Sequence, residues 1–277
     1  MYYLVLIEIV LVFFLLFLGW QGIGYIKKRR LWQKISRTPF PEKYRRYLEH
    51  IPHYQRLPDT MKREIERSML FFIETKEFRT VDIALTDEMK AIIAFYACLM
   101  QLGKKECYEN LNTIIIYPND VITERVRANG GIYAKEAFVL EGESAGGTVV
   151  IAWYEAKKEA YHPHNHNVIV HELAHEFDYE DGVADGVPPI GYSRYKEWAE
   201  VMFGTYDRLR EAFEKGRYLE KYKLIGEYAA TNEAEFFAVV SELFFEKPLT
   251  LKKHFPDIYR ELYAFYGLDT ALLFGRL

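Results

Sequence analysis

The stretch that decides the reading of this chain is Val168-Ile-Val-His171-Glu172-Leu-Ala-His175-Glu-Phe-Asp178. His171 and His175 are four apart, so on a helix they project from one face, one turn from each other. Two imidazoles so placed reach a single zinc ion at about 2.0–2.1 Å each. Glu172 is rotated by one residue and stays beside the open side of such a metal. There a carboxylate takes a proton from the attacking water and passes it to a leaving amine. This is the HExxH arrangement, and shuffling this composition yields only about 0.02 copies of it per chain. Its flanks are apolar nearly all round, as for a buried helix, and imidazoles on a buried helix need partners, which a metal supplies.

A catalytic zinc site takes a third protein ligand and leaves one position open. Asp181 stands ten residues after His171, where some zinc peptidases place that ligand, but they turn the chain with a Gly where this chain has Asp178. Glu233, Glu235 and Glu242 lie on a later helical pattern, with Glu235 and Glu242 sharing a face and Glu233 pointing elsewhere. Glu235 also stands three residues after Asn232, the spacing of a capping box. Glu242 reads equally as a solvated or salt-bridged acid. Spacing alone leaves Asp181 and Glu235 both open. Asp178 sits nearly over both histidines, as an acid orienting a ligand imidazole or as a structural acid at the helix end. His162, His164 and His166 precede the helix, and a short His-rich tract is either a loop or a second metal site.

Around this centre the composition is that of a folded protein. The chain has 277 residues, 50% of them apolar and 27% charged, which excludes general disorder. Two cysteines, Cys98 and Cys107, exclude a disulfide framework or a cysteine-only zinc knot. A net charge of -4 gives no reason to expect a nucleic-acid partner. That charge is uneven: residues 27–46 hold nine Lys and Arg against Glu42 alone.

The basic block follows an apolar run from Tyr2 to Trp20 broken by one charge, Glu8. Nineteen helical residues span about 30 Å, the hydrocarbon thickness of a bilayer, with aromatic residues at both ends. A cleaved signal peptide would put positive charge before the run and small residues after it. The expectation is a single-pass membrane anchor (residues 1–26), a basic, proline-containing juxtamembrane linker with short helical pieces (27–58) and a catalytic domain (59–277). The positive-inside rule puts that domain in the cytoplasm, with the basic block against anionic lipid.

Helices are expected from Asp59 through Ile73 and from the N-cap Thr86 through Leu102, then over 168–178, 194–214, 233–246 and 258–266. Strands are expected at Leu111–Tyr117 and Thr148–Trp153, the second after a turn marked by Gly142, Gly146 and Gly147. GVPPIG at 186–191 reads as a loop. The class is α+β, mostly helical with a small sheet.

VIVHELAHEFD, the upstream LEGES at 140–144 and NHN at 165–167, and the downstream YAATNEAEFFAVVSELFF resemble the Mlc titration factor A family of metallopeptidases. So do LTDEMK at 85–90 and IIIYP at 114–118. These motifs occur in order from about Ile51 to Tyr266. The resemblance implies a zincin fold related to the catalytic domain of anthrax lethal factor, with one zinc per chain. It implies His171, His175 and Glu235 as ligands, Glu172 as general base and Tyr228 as a catalytic side chain for the developing oxyanion. It also implies peptide or protein substrates, aminopeptidase action on short peptides, and a regulatory protein partner, a glucose-responsive DNA-binding repressor. The run at 2–20 departs from the family pattern. A membrane-anchored zinc metallopeptidase is therefore expected. The competing expectation is an anchored zinc-binding protein that sequesters a transcription regulator without catalysis.

Overall fold

The computed structural model describes residues 2–102, 108, 110–118, 147–216 and 220–277. Inside the first helix, the side chains of residues 2–10, 17, 18, 20, 21, 23 and 25 also lie outside the description. Two compact units are present, Met1–Phe40 and Pro41–Leu277.

The first unit is built on one helix, α1 (Tyr2–Ile35). It runs through the apolar stretch and on through the basic residues, because Lys and Arg propagate a helix as well as Leu does. Among the described residues, no helix is long and apolar enough to cross a membrane. The transmembrane helix expected over 2–20 is thus not supported, and about two thirds of that run's side chains fall outside the description. The expected linker at 27–58 is not one segment either. Its first residues continue α1, whereas the second unit starts at Pro41. Two short helices, α2 (Glu42–Leu48) and α3 (Pro52–Arg56), follow. Tyr44, Leu48, Ile51, Tyr54 and Leu57 are buried. The prolines there start helices rather than loosen the chain: Pro52 opens α3 and Pro58 precedes α4.

The second unit centres on α4 (Asp59–Thr75) and α5 (Asp87–Met100). Thr86 caps α5 by accepting from Met89 N at 3.2 Å. From Met89 to Met100 only Lys90 is not buried, which explains the helix's unbroken apolar sequence. A three-stranded parallel sheet lies alongside, in the order β1 (Glu77–Thr80), β2 (Thr113–Tyr117), β3 (Thr148–Ala152). Ile114 pairs with Val149 and Ile116 with Ile151. The β-branched run of β2 suits a strand with neighbours on both sides. The expected second strand ends one residue early, since Trp153 already opens α6 (Trp153–Tyr161). Of the turn glycines expected before it, Gly142 and Gly146 fall outside the described residues, as do LEGES and Cys107. Gly147 has φ +81°, and a Cβ there would sit 2.1 Å from the Asn110 carbonyl oxygen.

The remaining helices are α7 (Val168–Asp178), α8 (Tyr192–Glu214), α9 (Glu220–Ile225), α10 (Glu233–Glu246), α11 (Pro248–His254), α12 (Pro256–Tyr266) and α13 (Thr270–Phe274). Helix α10 is the hub: every residue from Phe236 to Glu246 is buried. It packs on α7, α11, α12 and α13, and α7 in turn packs on α5 and β3. The fold is mostly helical with a small parallel sheet, as the sequence predicts.

Candidate metal centre

Helix α7 begins at Asn167, whose side-chain oxygen accepts from Val170 N at 3.1 Å. Ile169, Val170, Leu173, Ala174 and Phe177 are buried and fix the helix's rotation. His171 and His175 then emerge together, with ring centroids 4.8 Å apart and planes at 79°. Helix α10 begins at Asn232, whose side chain accepts from Glu235 N at 2.8 Å. The capping motif read from the sequence is therefore present, but only through the Glu235 backbone. The Glu235 side chain goes to the histidines.

His171 Nε2 lies 3.2 Å from Glu235 Oε2 and 3.2 Å from His175 Nε2, and His175 Nε2 lies 3.4 Å from Glu235 Oε2. Ligand atoms about 2.0–2.1 Å from a common tetrahedral centre stand roughly 3.3–3.4 Å apart, so this triangle has the dimensions of three zinc ligands. Glu235 Oε2 is buried and no well-formed hydrogen bond reaches it. Two nitrogens and a carboxylate oxygen are also a donor set that zinc takes. Among the described residues, these three form the one group of His, Cys, Asp or Glu able to hold a metal.

Burial alone would keep His171 neutral, but Glu235 and Glu242 outweigh it and raise its pKa well above the usual range. Burial likewise opposes ionisation of Glu235, yet His171 and His175 hold it below the usual carboxylate range. The pocket thus favours positive charge between these groups. Glu172 adjoins His171 on α7, and its charge bears on both His171 and Tyr228. Tyr228 sits in a short 3-10 turn, Tyr228–Ala230, just before α10. Its ring centroid is 6.0 Å from that of His171, and its side chain is 42% exposed. Burial, then the facing Glu235, raises its hydroxyl pKa, so it stays a proton donor.

The rejected alternatives have their own partners. Asp181 lies in the turn after α7, exposed, and its Oδ1 accepts from Val183 N at 3.1 Å. Asp178 is fully buried, but its Oδ2 accepts from Gly186 N at 2.9 Å, and burial raises its pKa to about 6. It is a structural acid at the helix end. The carboxylate on a candidate ligand imidazole is Glu242, whose Oε1 lies 2.8 Å from His171 Nδ1. Sequence reading placed Glu242 on the Glu235 face but assigned it no partner. Its signal was that shared face on a helix otherwise apolar. The histidine tract does not assemble a second cluster among the described residues: His164 Nδ1 accepts from His166 N, and His166 Nδ1 lies 3.5 Å from Glu242 Oε2.

Residues 26–267 match the model of the glucose-regulated metallo-peptidase M90 family. An uncharacterized protein of Synechocystis sp. is 31% identical over 249 residues, covering 87% of this chain and 89% of its own length. Mlc titration factor A of Serratia proteamaculans is 30% identical over 200 residues, covering 70% of this chain and 75% of its own. The Cronobacter sakazakii protein of the same name is 28% identical over 228 residues, covering 80% and 84%. With the paired histidines and the distant Glu235 carboxylate brought together, and with a family match over most of its length, this chain belongs to the glucose-regulated M90 metallopeptidase family, together with the Mlc titration factor A proteins.

Proposed function

We propose that the protein is a zinc-dependent peptidase whose centre comprises His171, Glu172, His175, Tyr228 and Glu235. The observation that carries this reading is the 3.2, 3.2 and 3.4 Å triangle of ligand atoms beside a glutamate that no ligand role uses. Zinc bound there would supply a Lewis acid that polarises the scissile carbonyl and makes water acidic enough to be deprotonated near neutral pH. His171 and His175 offer Nε2 to it and Glu235 offers Oε2. Glu172 accepts the proton of the attacking water and returns it to the leaving amine. Tyr228 donates its hydroxyl proton in a hydrogen bond to the developing oxyanion. Short peptides, cleaved from the amino end, are the substrate class we favour from the family resemblance.

Glu172→Gln keeps all three ligands and removes only the base. It should bind about one zinc per chain and lose peptide hydrolysis by about 10²–10⁴-fold. Glu235→Gln keeps the Asn232 cap but substitutes a poor ligand, and should purify with little zinc and no activity. Wild-type turnover by Glu172→Gln, or full zinc in Glu235→Gln, defeats the assignment.

We place this activity at the cytoplasmic face of the membrane, because the dense basic block at 27–46 suits an anionic lipid surface. A second reading, retention of a regulatory protein, is favoured by the name of the Mlc titration factor A relatives. Chelator-sensitive hydrolysis that disappears in Glu172→Gln separates catalysis from retention alone, since retention has no use for that carboxylate.

A further inference from the structure

His171 offers one nitrogen to the candidate metal position and the other to a buried carboxylate. Its Nε2 faces Glu235 and His175, while its Nδ1 lies 2.8 Å from Glu242 Oε1. An imidazole that keeps the Nε2 lone pair free must carry its proton on Nδ1. Glu242 Oε1 is placed to accept that proton's hydrogen bond. Glu242 is only 4% exposed. Its other oxygen, Oε2, accepts from Asn167 N at 2.7 Å, and Asn167 is the residue that caps α7. The carboxylate therefore grips both the backbone at the start of the ligand helix and a ligand side chain one turn into it.

Glu235 and Glu242 are seven residues apart on α10, about two turns, and face α7 together. Val239, one turn after Glu235, is apolar and nearly buried, so the nearer position has no group to offer the ring. Asp178, the other acid close to the histidines in sequence, is engaged by Gly186 N. Among the described residues, Glu242 alone is recorded bonding the far nitrogen of a candidate ligand.

We propose that Glu242 is a positioning residue for the metal centre, fixing the tautomer and rotation of His171 so that Nε2 points at the site shared with His175 and Glu235. This rests on the zinc reading above. A carboxylate behind a ligand imidazole also makes that nitrogen more basic, and losing such a partner typically costs about 10–100-fold in metal affinity.

The test uses the full-length chain and compares wild type with Glu242→Gln, Glu242→Ala and Glu246→Gln. Glu246 is a buried acid one turn further along α10 that accepts from Asn167 Nδ2 at 2.7 Å but bonds no candidate ligand, so it controls for loss of a buried carboxylate. Zinc affinity is read by competition with a chromophoric chelator, and site geometry by the visible spectrum of the Co²⁺-loaded protein. Glu242→Gln can accept one of the two hydrogen bonds Glu242 takes but must oppose an amide N–H to the other. We expect Glu242→Ala to bind zinc about 10–100-fold more weakly, Glu242→Gln to fall between it and wild type, and both to alter the Co²⁺ bands. Glu246→Gln should match wild type in affinity and spectrum. Should Glu242→Ala not fold, Glu242→Gln carries the comparison alone. Wild-type affinity and spectrum in Glu242→Gln and Glu242→Ala overturn the positioning role and leave the zinc reading standing. A wild-type chain that takes up no zinc, or takes it up undiminished in Glu235→Gln, overturns the zinc reading and this inference with it.

Discussion

The loop between α7 and α8 meets the start of α10 at one glycine, and replacing it tests how the two helices that carry the candidate ligands are held. Gly186 has φ +79°, and a Cβ built on it would stand 2.6 Å from the carbonyl oxygen of Glu233 and 2.9 Å from its carbonyl carbon. The loop cannot swing aside cheaply, because Gly186 N donates to Asp178 at 2.9 Å and its oxygen accepts from Trp198 Nε1 at 3.0 Å. Two costs therefore add in Gly186→Ala. The left-handed backbone costs a residue with a Cβ about 1–2 kcal/mol. Overlap with a backbone that must move by several tenths of an ångström costs about 1–3 kcal/mol more. The sum, about 2–5 kcal/mol, lowers Tm by roughly 4–20 °C at about 2–4 °C per kcal/mol. Glu233 is two residues before Glu235, so the same displacement should loosen the ligand triangle and weaken zinc binding. Gly182→Ala is the matched control, with φ +95° and nothing within 4 Å of its Cβ. It should show the backbone cost alone, about 1–2 kcal/mol. Thermal melts and chelator competition on the three proteins decide the matter. If Gly186→Ala melts with Gly182→Ala and holds zinc as wild type does, the contact with Glu233 is not setting the position of α10.

Two further outcomes are expected. His53 is fully buried, bonded by Tyr96 OH at 3.2 Å and Phe245 O at 3.3 Å with Glu246 at 3.7 Å, and burial lowers its pKa from 6.5 to about 4. The unfolded chain therefore takes up a proton that the folded chain refuses, so this contribution is full above about pH 6.5 and lost as pH falls to about 4, some 3 kcal/mol in all. Urea denaturation across that range should give His53→Gln a flatter slope than wild type, and an unchanged slope refutes the assignment. If the protein works at the cytoplasmic membrane surface, the full-length chain should fractionate with membranes and residues 41–277 should survive protease added to intact cells. Neutralising Lys27, Lys28, Arg29 and Arg30 should weaken that membrane association, and digestion of the wild-type domain from outside would contradict the placement.

What could be read from the sequence and what could not differ in range. The helix carrying His171 and His175 was legible because its apolar flanks and its functional spacing both lie within eleven consecutive residues. Thr86 and Asn232 announced their helices for the same reason. Glu235 was one of two candidates by spacing, since a cap and a ligand make the same local pattern and only the fold says where the side chain goes. The short helical pieces expected before Asp59 are present, but the burial of Tyr44, Leu48, Ile51, Tyr54 and Leu57 was not legible, because it depends on partners distant in sequence. β1 was missed because Glu77-Phe-Arg-Thr has too few apolar residues to stand out from a loop, and it forms by pairing with β2, more than thirty residues away.

The least legible feature is also the one that holds the centre in place. A helix leaves its first backbone N–H groups without partners, and those groups carry partial positive charge. At the start of α7, Asn167 N donates to Glu242 on α10 at 2.7 Å, and Val168 N donates to Glu159 on α6 at 2.7 Å. At its other end, Asp178 accepts from Gly186 N in the loop that touches the start of α10. Burial raises Glu159 to about 7 and pushes Glu246 higher still, so not all these acids are equally charged. Glu242 is held below the usual carboxylate range, against its burial, by His166 and His171. Each link joins a carboxylate to a backbone group on another element or loop, from eight to 75 residues away in sequence, and no periodicity or motif encodes such a pairing. Yet these links fix the height and rotation of α7 relative to α10. A triangle of ligand atoms that must be right to a few tenths of an ångström depends on that placement. The HExxH letters supply the donors, and the buried acids at the two ends of their helix determine whether those donors converge on one point.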